Sequence, residues 1–111
     1  MKRYCFALDL KDDPQLIQEY VEMHENVWPE IKKSIRDSGI LDMEIYKVSN
    51  RLFMVMEVDD SFSFESKAES DATNQKVQDW EQLMWKYQQA LPGARDGEKW
   101  MLMERIFKLN D

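Results

Sequence analysis

The spacing of the apolar residues changes along this chain in an order that few folds accommodate. Over residues 3–10, Tyr4, Phe6, Leu8 and Leu10 occupy every second position, the period of a strand with one buried face. Asp12-Asp13-Pro14 then opens a helix, with Asp13 as N-cap and Pro14 at the first helical position. Leu16, Ile17, Tyr20, Val21, His24, Val27, Trp28, Ile31 and Ile35 share one face of that helix, which is expected to reach Ser38 and stop at Gly39. Pro29 lies inside it and removes a backbone donor, which predicts a kink or brief break at residues 26–28. Strand spacing returns over 41–48 and 52–59, joined by the tight turn Ser49-Asn50-Arg51. A short helical turn is expected over 64–70. A second long helix follows over 74–90, with Val77, Trp80, Met84, Tyr87 and Leu91 on its inner stripe. After a loop over 92–98, a last strand is expected over 100–108.

This β-α-β-β-α-β order predicts an α+β fold of the ferredoxin-like, split βαβ kind, an antiparallel sheet with its helices on one face. With 111 residues the chain suffices for one two-layer core, so a single domain over 1–111 is expected. Aromatic and methionine side chains fall on both faces of such a sheet. The face without helices is therefore expected to be buried against a second copy, giving a homodimer with apposed sheets, a dimeric α+β barrel.

Composition narrows the function. A net charge of −7 disfavours nucleic acid and anionic membrane surfaces, because little here would displace counterions from phosphates. No apolar run is long enough for a membrane span, the first residues lack a signal-peptide core, and Cys5 has no partner for an intrachain disulfide. A cytoplasmic location follows as the expectation, with Cys5 acting as a small buried apolar residue. One histidine and one cysteine cannot make a zinc site of the usual kind, and no calcium loop, glycine-rich phosphate loop or Gly-x-Ser-x-Gly elbow is present. No metal and no cofactor are expected.

His24 is the residue best suited to chemistry. Tyr20, His24 and Trp28 recur at intervals of four, so on a helix they stack along the face that should pack inward. A lone histidine on an apolar face is ordinarily a core residue held by one hydrogen bond. Here its neighbours supply a hydroxyl on one side and a flat apolar ring on the other, a combination that suits a sugar, whose C–H faces are apolar and whose edges are hydroxyls. Trp80, Trp85 and Tyr87 form a second aromatic group. Trp80 and Tyr87 are expected to pack against the sheet, and Trp85, one residue off the stripe, to edge the pocket.

The run Glu19-Tyr20-x3-His24-x3-Trp28-Pro29-Glu30, with Glu44-Ile45-Tyr46, Leu52-Phe53 and Trp85-Lys86-Tyr87 before Pro92, resembles the L-rhamnose mutarotase family from Phe6 to Leu109. That resemblance implies a small dimeric enzyme without a cofactor, an isomerase exchanging the α and β anomers of a 6-deoxy-L-hexose. It implies His24 as the proton-donating group and Tyr20 as a sugar contact. A Trp-Trp pair of the family corresponds to Met84 and Trp85, and a pocket tyrosine corresponds to Met43. Relatives in L-fucose pathways look at least as close as the rhamnose enzymes, and replacing a Tyr O–H and a Trp N–H by methionine changes which hydroxyl arrangement is satisfied. The expected site is therefore His24 as acid/base at the ring oxygen, with Tyr20, Trp28, Trp85, Met43 and Met84 around the monosaccharide. Two rival readings predict other behaviour. A cofactor-free oxygenase or haem-degrading protein of the same dimeric fold would consume oxygen or show a Soret band, and a sugar-binding module would bind without speeding anomer exchange.

Overall fold

The structure, a computed structural model, describes residues 1–110. Its central strand β1 (Lys2–Leu10) pairs antiparallel with β3 (Arg51–Val58) in unbroken register from Lys2 opposite Val58 to Asp9 opposite Arg51. Strand β2 (Ile40–Val48) flanks β3 on the outside, with a register shift between Ile40 and Asp42. The free edge of β1 takes two short strands, β4 (Gln88–Gln89) and β5 (Met101–Leu102), both antiparallel to it. The strand order β2-β3-β1-β4 is that of the ferredoxin-like α+β fold, with the fourth strand divided into two pieces.

Helix α1 (Pro14–Met23) begins as expected: the Asp13 carboxylate accepts from the backbone N–H of Gln15 at 2.9 Å and of Leu16 at 3.2 Å. It gives way to a 3₁₀ turn at His24–Asn26. Trp28 is extended (φ −53°, ψ 135°), the conformation a following proline imposes, and Pro29 starts a separate helix α2 (Pro29–Asp37). The interruption expected at Pro29 is thus a full break that reorients the chain immediately after His24. Gly39 ends this segment at φ +96°; a Cβ there would lie 2.7 Å from Asp59 Oδ1 and 2.8 Å from Ser61 Oγ, so the position excludes a side chain twice over.

Three boundaries differ from the sequence reading. The turn expected over 64–70 is a ten-residue helix α3 (Phe64–Thr73), capped by Ser63 Oγ. The long helix expected to reach residue 90 is α4 (Gln75–Trp85), capped by Asn74. It stops early because the edge of β1 takes the following residues: Lys11 N–H donates to the Tyr87 carbonyl at 2.8 Å, and Gln88 pairs with Leu10. The last strand, expected over 100–108, is only Met101–Leu102, extended by one bond from Met103 N–H to the Cys5 carbonyl at 2.7 Å. Phe62 and Phe64 already pack beside Tyr4 and Phe6 further along β1, and the chain leaves the edge with Ile106, Phe107 and Leu109 exposed.

The helix-facing residues of β1 and β3 form the core, where Leu8, Leu10, Leu52 and Val58 are fully buried. Tyr20, Ile31, Val77, Trp80, Met84 and Tyr87 pack onto it from the helices. On the other sheet face, Cys5, Ala7, Phe53 and Val55 are half-buried, so Cys5 is not the buried residue expected, and Tyr46 and Val48 are exposed. The Arg3–Glu57 pair (3.1 Å) and the Arg51–Asp9 pair (2.7 Å) bracket that face. Among the described residues no helix is long and apolar enough to cross a membrane.

Candidate active site

The end of α1, the inner face of α4 and the helix-facing side of β2 and β3 enclose an open cavity of about 640 Å³, within the range of small-molecule sites. One wall follows from helix periodicity: Val77, Glu81 and Met84 succeed one another at intervals of four and three on α4, and Gln88 of β4 extends the row. They face Tyr20 of α1, His24 of the 3₁₀ turn, and Met43, Met54 and Met56 from the sheet.

The break before Pro29 places His24 at the C-terminal end of α1, where carbonyls lack further turns to bond. The Tyr20 carbonyl lies 2.8 Å from His24 Nδ1. A carbonyl only accepts, so Nδ1 carries the hydrogen and the neutral ring keeps its lone pair on Nε2. Burial lowers the His24 pKa below its ordinary value near 6.5, against the opposing pull of the Tyr20 carbonyl, so the imidazole is neutral at pH 7. Burial has the reverse effect on Tyr20. Its phenol is pushed up to about 12, with the Glu81 charge adding to the rise and the Gln88 N–H, 3.4 Å from the hydroxyl oxygen, working against it.

The two rings lie side by side, centroids 4.2 Å apart and tilted by 33°. Trp80 meets His24 edge-on at 5.7 Å and Trp28 at 5.1 Å. Of the residues proposed from sequence, Tyr20, His24, Met43 and Met84 line the cavity and two do not. Trp28 reaches His24 only through Trp80, which stands between them. Trp85 lines a neighbouring shallow groove instead, where the Lys99 ammonium sits 4.7 Å above its ring and which shares Glu81, Lys99 and Trp100 with the cavity.

Sequence reasoning missed Trp80, Glu81, Gln88, Lys99 and Trp100 as cavity residues. The spacing of Trp80 points it at the sheet, where a core residue packs. Gln88 carries a usable signal, since it is a polar residue four positions after Met84 and next to Tyr87 of the apolar stripe. Lys99 carried none, because a loop far along the chain brings it to Glu81, where Nζ bonds the backbone oxygen at 2.7 Å and the carboxylate at 2.9 Å. Among the described residues no group of three or more His, Cys, Asp or Glu is gathered as metal ligands would be.

Fold and cavity together define a ferredoxin-like α+β protein with a small-molecule cleft built on one histidine. A family model described as L-rhamnose mutarotase matches residues 3–109. An L-fucose mutarotase from Xanthomonas campestris pv. campestris is 43% identical over 113 residues, covering 100% of this chain and 90% of the relative. An L-rhamnose mutarotase from Phocaeicola vulgatus is 35% identical over 89 residues, covering 78% of this chain and 76% of the relative. The crystal structure of an L-rhamnose mutarotase from Formosa agariphila superposes with a TM-score of 0.73 at 25% identity, covering 99% of this chain and 100% of the other. The chain belongs to the L-rhamnose mutarotase family, and it is a carbohydrate isomerase.

Proposed function

We propose that this protein interconverts the α and β anomers of a 6-deoxy-L-hexose in the cytoplasm, L-fucose in preference to L-rhamnose, with His24 moving the proton. The observation that carries this reading is a neutral imidazole, its Nδ1 committed to a carbonyl, in the wall of an aromatic cleft large enough for a pyranose. Opening the ring requires the anomeric O–H to lose a proton and the ring oxygen to gain one. A neutral His24 starts by accepting at Nε2, which assigns it to the anomeric hydroxyl rather than to the ring oxygen expected from sequence; closure returns the proton. Tyr20 orients the sugar, Trp80 rather than Trp28 closes the cleft behind the histidine, and Met43 and Met84 give an apolar wall for C–H faces.

The preference for L-fucose rests on the full-length similarity to an L-fucose mutarotase and on methionine at positions 43 and 84. The two sugars differ in configuration at C2 and C4, and a wall with methionine in place of Tyr and Trp donors at positions 43 and 84 rewards a different hydroxyl arrangement. The partly apolar outer sheet face and the exposed Ile106, Phe107 and Leu109 support a homodimer joined through that face.

Saturation-transfer NMR between α and β anomer signals tests the reading, run in parallel on L-fucose, L-rhamnose and D-galactose. Catalysed exchange is expected for L-fucose above the others, with His24→Ala slower by roughly 10²–10⁴-fold while remaining folded. Exchange at the uncatalysed rate with all three sugars would refute it.

A further inference from the structure

Mutarotation needs two proton carriers, and the anomeric and ring oxygens they serve are bonded to the same carbon. Two neighbouring side chains on one wall can therefore serve both. Tyr20 and His24 are such a pair, their rings stacked 4.2 Å apart and both lining the cavity. Gln88 completes the arrangement. It is 4% exposed, it lines the same cavity, and its Nε2 donates to the Tyr20 hydroxyl oxygen at 3.4 Å. A phenol whose oxygen accepts from an amide has its own hydrogen free to donate outward. The other end of the amide, Oε1, is the buried side-chain polar atom left without a partner among the described residues. A buried amide with one end on Tyr20 and the other unmet is completed by a hydroxyl-rich ligand.

We infer that Tyr20 is the second proton carrier of the reaction, serving the ring oxygen, and that Gln88 is its positioning residue. This rests on the mutarotase reading above. The His24 Nε2 lone pair takes the anomeric O–H proton, and the electrons of that bond form the C1 carbonyl. The C1–O5 bond breaks with its electron pair on O5, and O5 takes the Tyr20 proton. The resulting phenolate is held by the Gln88 N–H. After rotation about C1–C2 the flow reverses: O5 returns its proton to Tyr20 as it attacks C1, and the carbonyl oxygen takes the proton back from His24. No proton is gained or lost overall. The starting state, neutral imidazole beside protonated phenol, is the one that burial favours for both groups at pH 7.

Anomer exchange of L-fucose measured for the wild-type protein, Tyr20→Phe, Gln88→Glu and Gln88→Met tests this. Tyr20→Phe is expected to lower kcat by roughly 10²–10⁴-fold with far less change in KM. Gln88→Glu keeps the shape but has only acceptors, so it captures the phenol hydrogen and should approach the loss seen in Tyr20→Phe; Gln88→Met should lose less. A merely structural glutamine would show in the melting temperature and KM of both variants and leave kcat unchanged. If Tyr20→Phe does not fold, kcat in the two Gln88 variants decides. A Tyr20→Phe enzyme with wild-type kcat and raised KM, or a Gln88→Glu enzyme as fast as wild type, would overturn the inference while leaving the mutarotase reading intact. Absence of catalysis by the wild-type protein would overturn both.

Discussion

Trp80 and Trp85 are five residues apart on the same helix and have almost nothing else in common. Trp80 is 8% exposed and wedged edge-on between His24 and Trp28. Trp85 is 36% exposed and lies under the Lys99 ammonium in the shallow groove beside the cavity. Five residues turn a helix through well over one revolution, so the same side chain serves as cavity wall in one case and surface platform in the other. Aromatic clustering in sequence therefore says little about which ring reaches a site. The phase relative to the helix packed opposite decides it.

The largest effect expected from this contrast comes from truncating the wall. Trp80→Ala should cost about 3–5 kcal/mol of stability, as large-to-small core changes do, and should free His24 from its edge contact so that anomer exchange falls as well. Denaturant unfolding alongside the exchange assay measures both. A stable and fully active Trp80→Ala protein would remove the distinction between the two tryptophans.

A smaller effect comes from protonating His24, the group Trp80 helps to bury. The folded-state pKa is lowered, so the unfolded chain binds more protons in the window just below the ordinary value near 6.5. Stability should therefore fall as pH drops through that window, and the loss should be complete below the folded pKa. Because the base must be neutral, exchange should be flat near pH 7 and decline about tenfold per pH unit once His24 is protonated. Melting temperatures and rates between pH 4 and 8, compared with His24→Asn for the stability component, show whether the histidine is responsible. A rate that rises on acidification would assign His24 to the ring oxygen as a donor instead.

The smallest effect belongs to the surface. Trp85→Ala should cost about 1 kcal/mol or less, chiefly the contact with Lys99, and should leave anomer exchange within a few-fold of wild type by roughly the same energy. Loss of exchange comparable to that of His24→Ala would place Trp85 at the sugar after all and would sharpen the comparison in the opposite sense.

Much of the fold was legible because its signals are local. Asp13 before Pro14 caps a helix whatever surrounds it, and Pro29 forces Trp28 out of the helical region by a steric clash confined to two residues. Tyr20 and His24 shared a face by spacing alone, and the structure stacks them. Two of the three misplaced boundaries lie at the free edge of β1, which distant segments join. Residues 86–90 have the spacing of a continuing helix, yet Gln88 gains ladder bonds by joining β1. Residues 104–108 have strand character, yet the chain leaves β1 after the Met103–Cys5 bond although β1 itself continues to Lys2.

What the sequence by itself determined is the order of periods, the caps, and the placing of one imidazole on an inward face, since each depends on neighbours within a turn or two. Only the tertiary structure decided that Trp80 and not Trp28 or Trp85 closes on that imidazole, that Gln88 reaches the Tyr20 hydroxyl, and that Lys99 grips Glu81. These contacts depend on the relative phase of two helices and on which segment captures the edge of β1. Such choices are settled by burial and backbone pairing between residues 18 to 80 positions apart, and no local pattern encodes them.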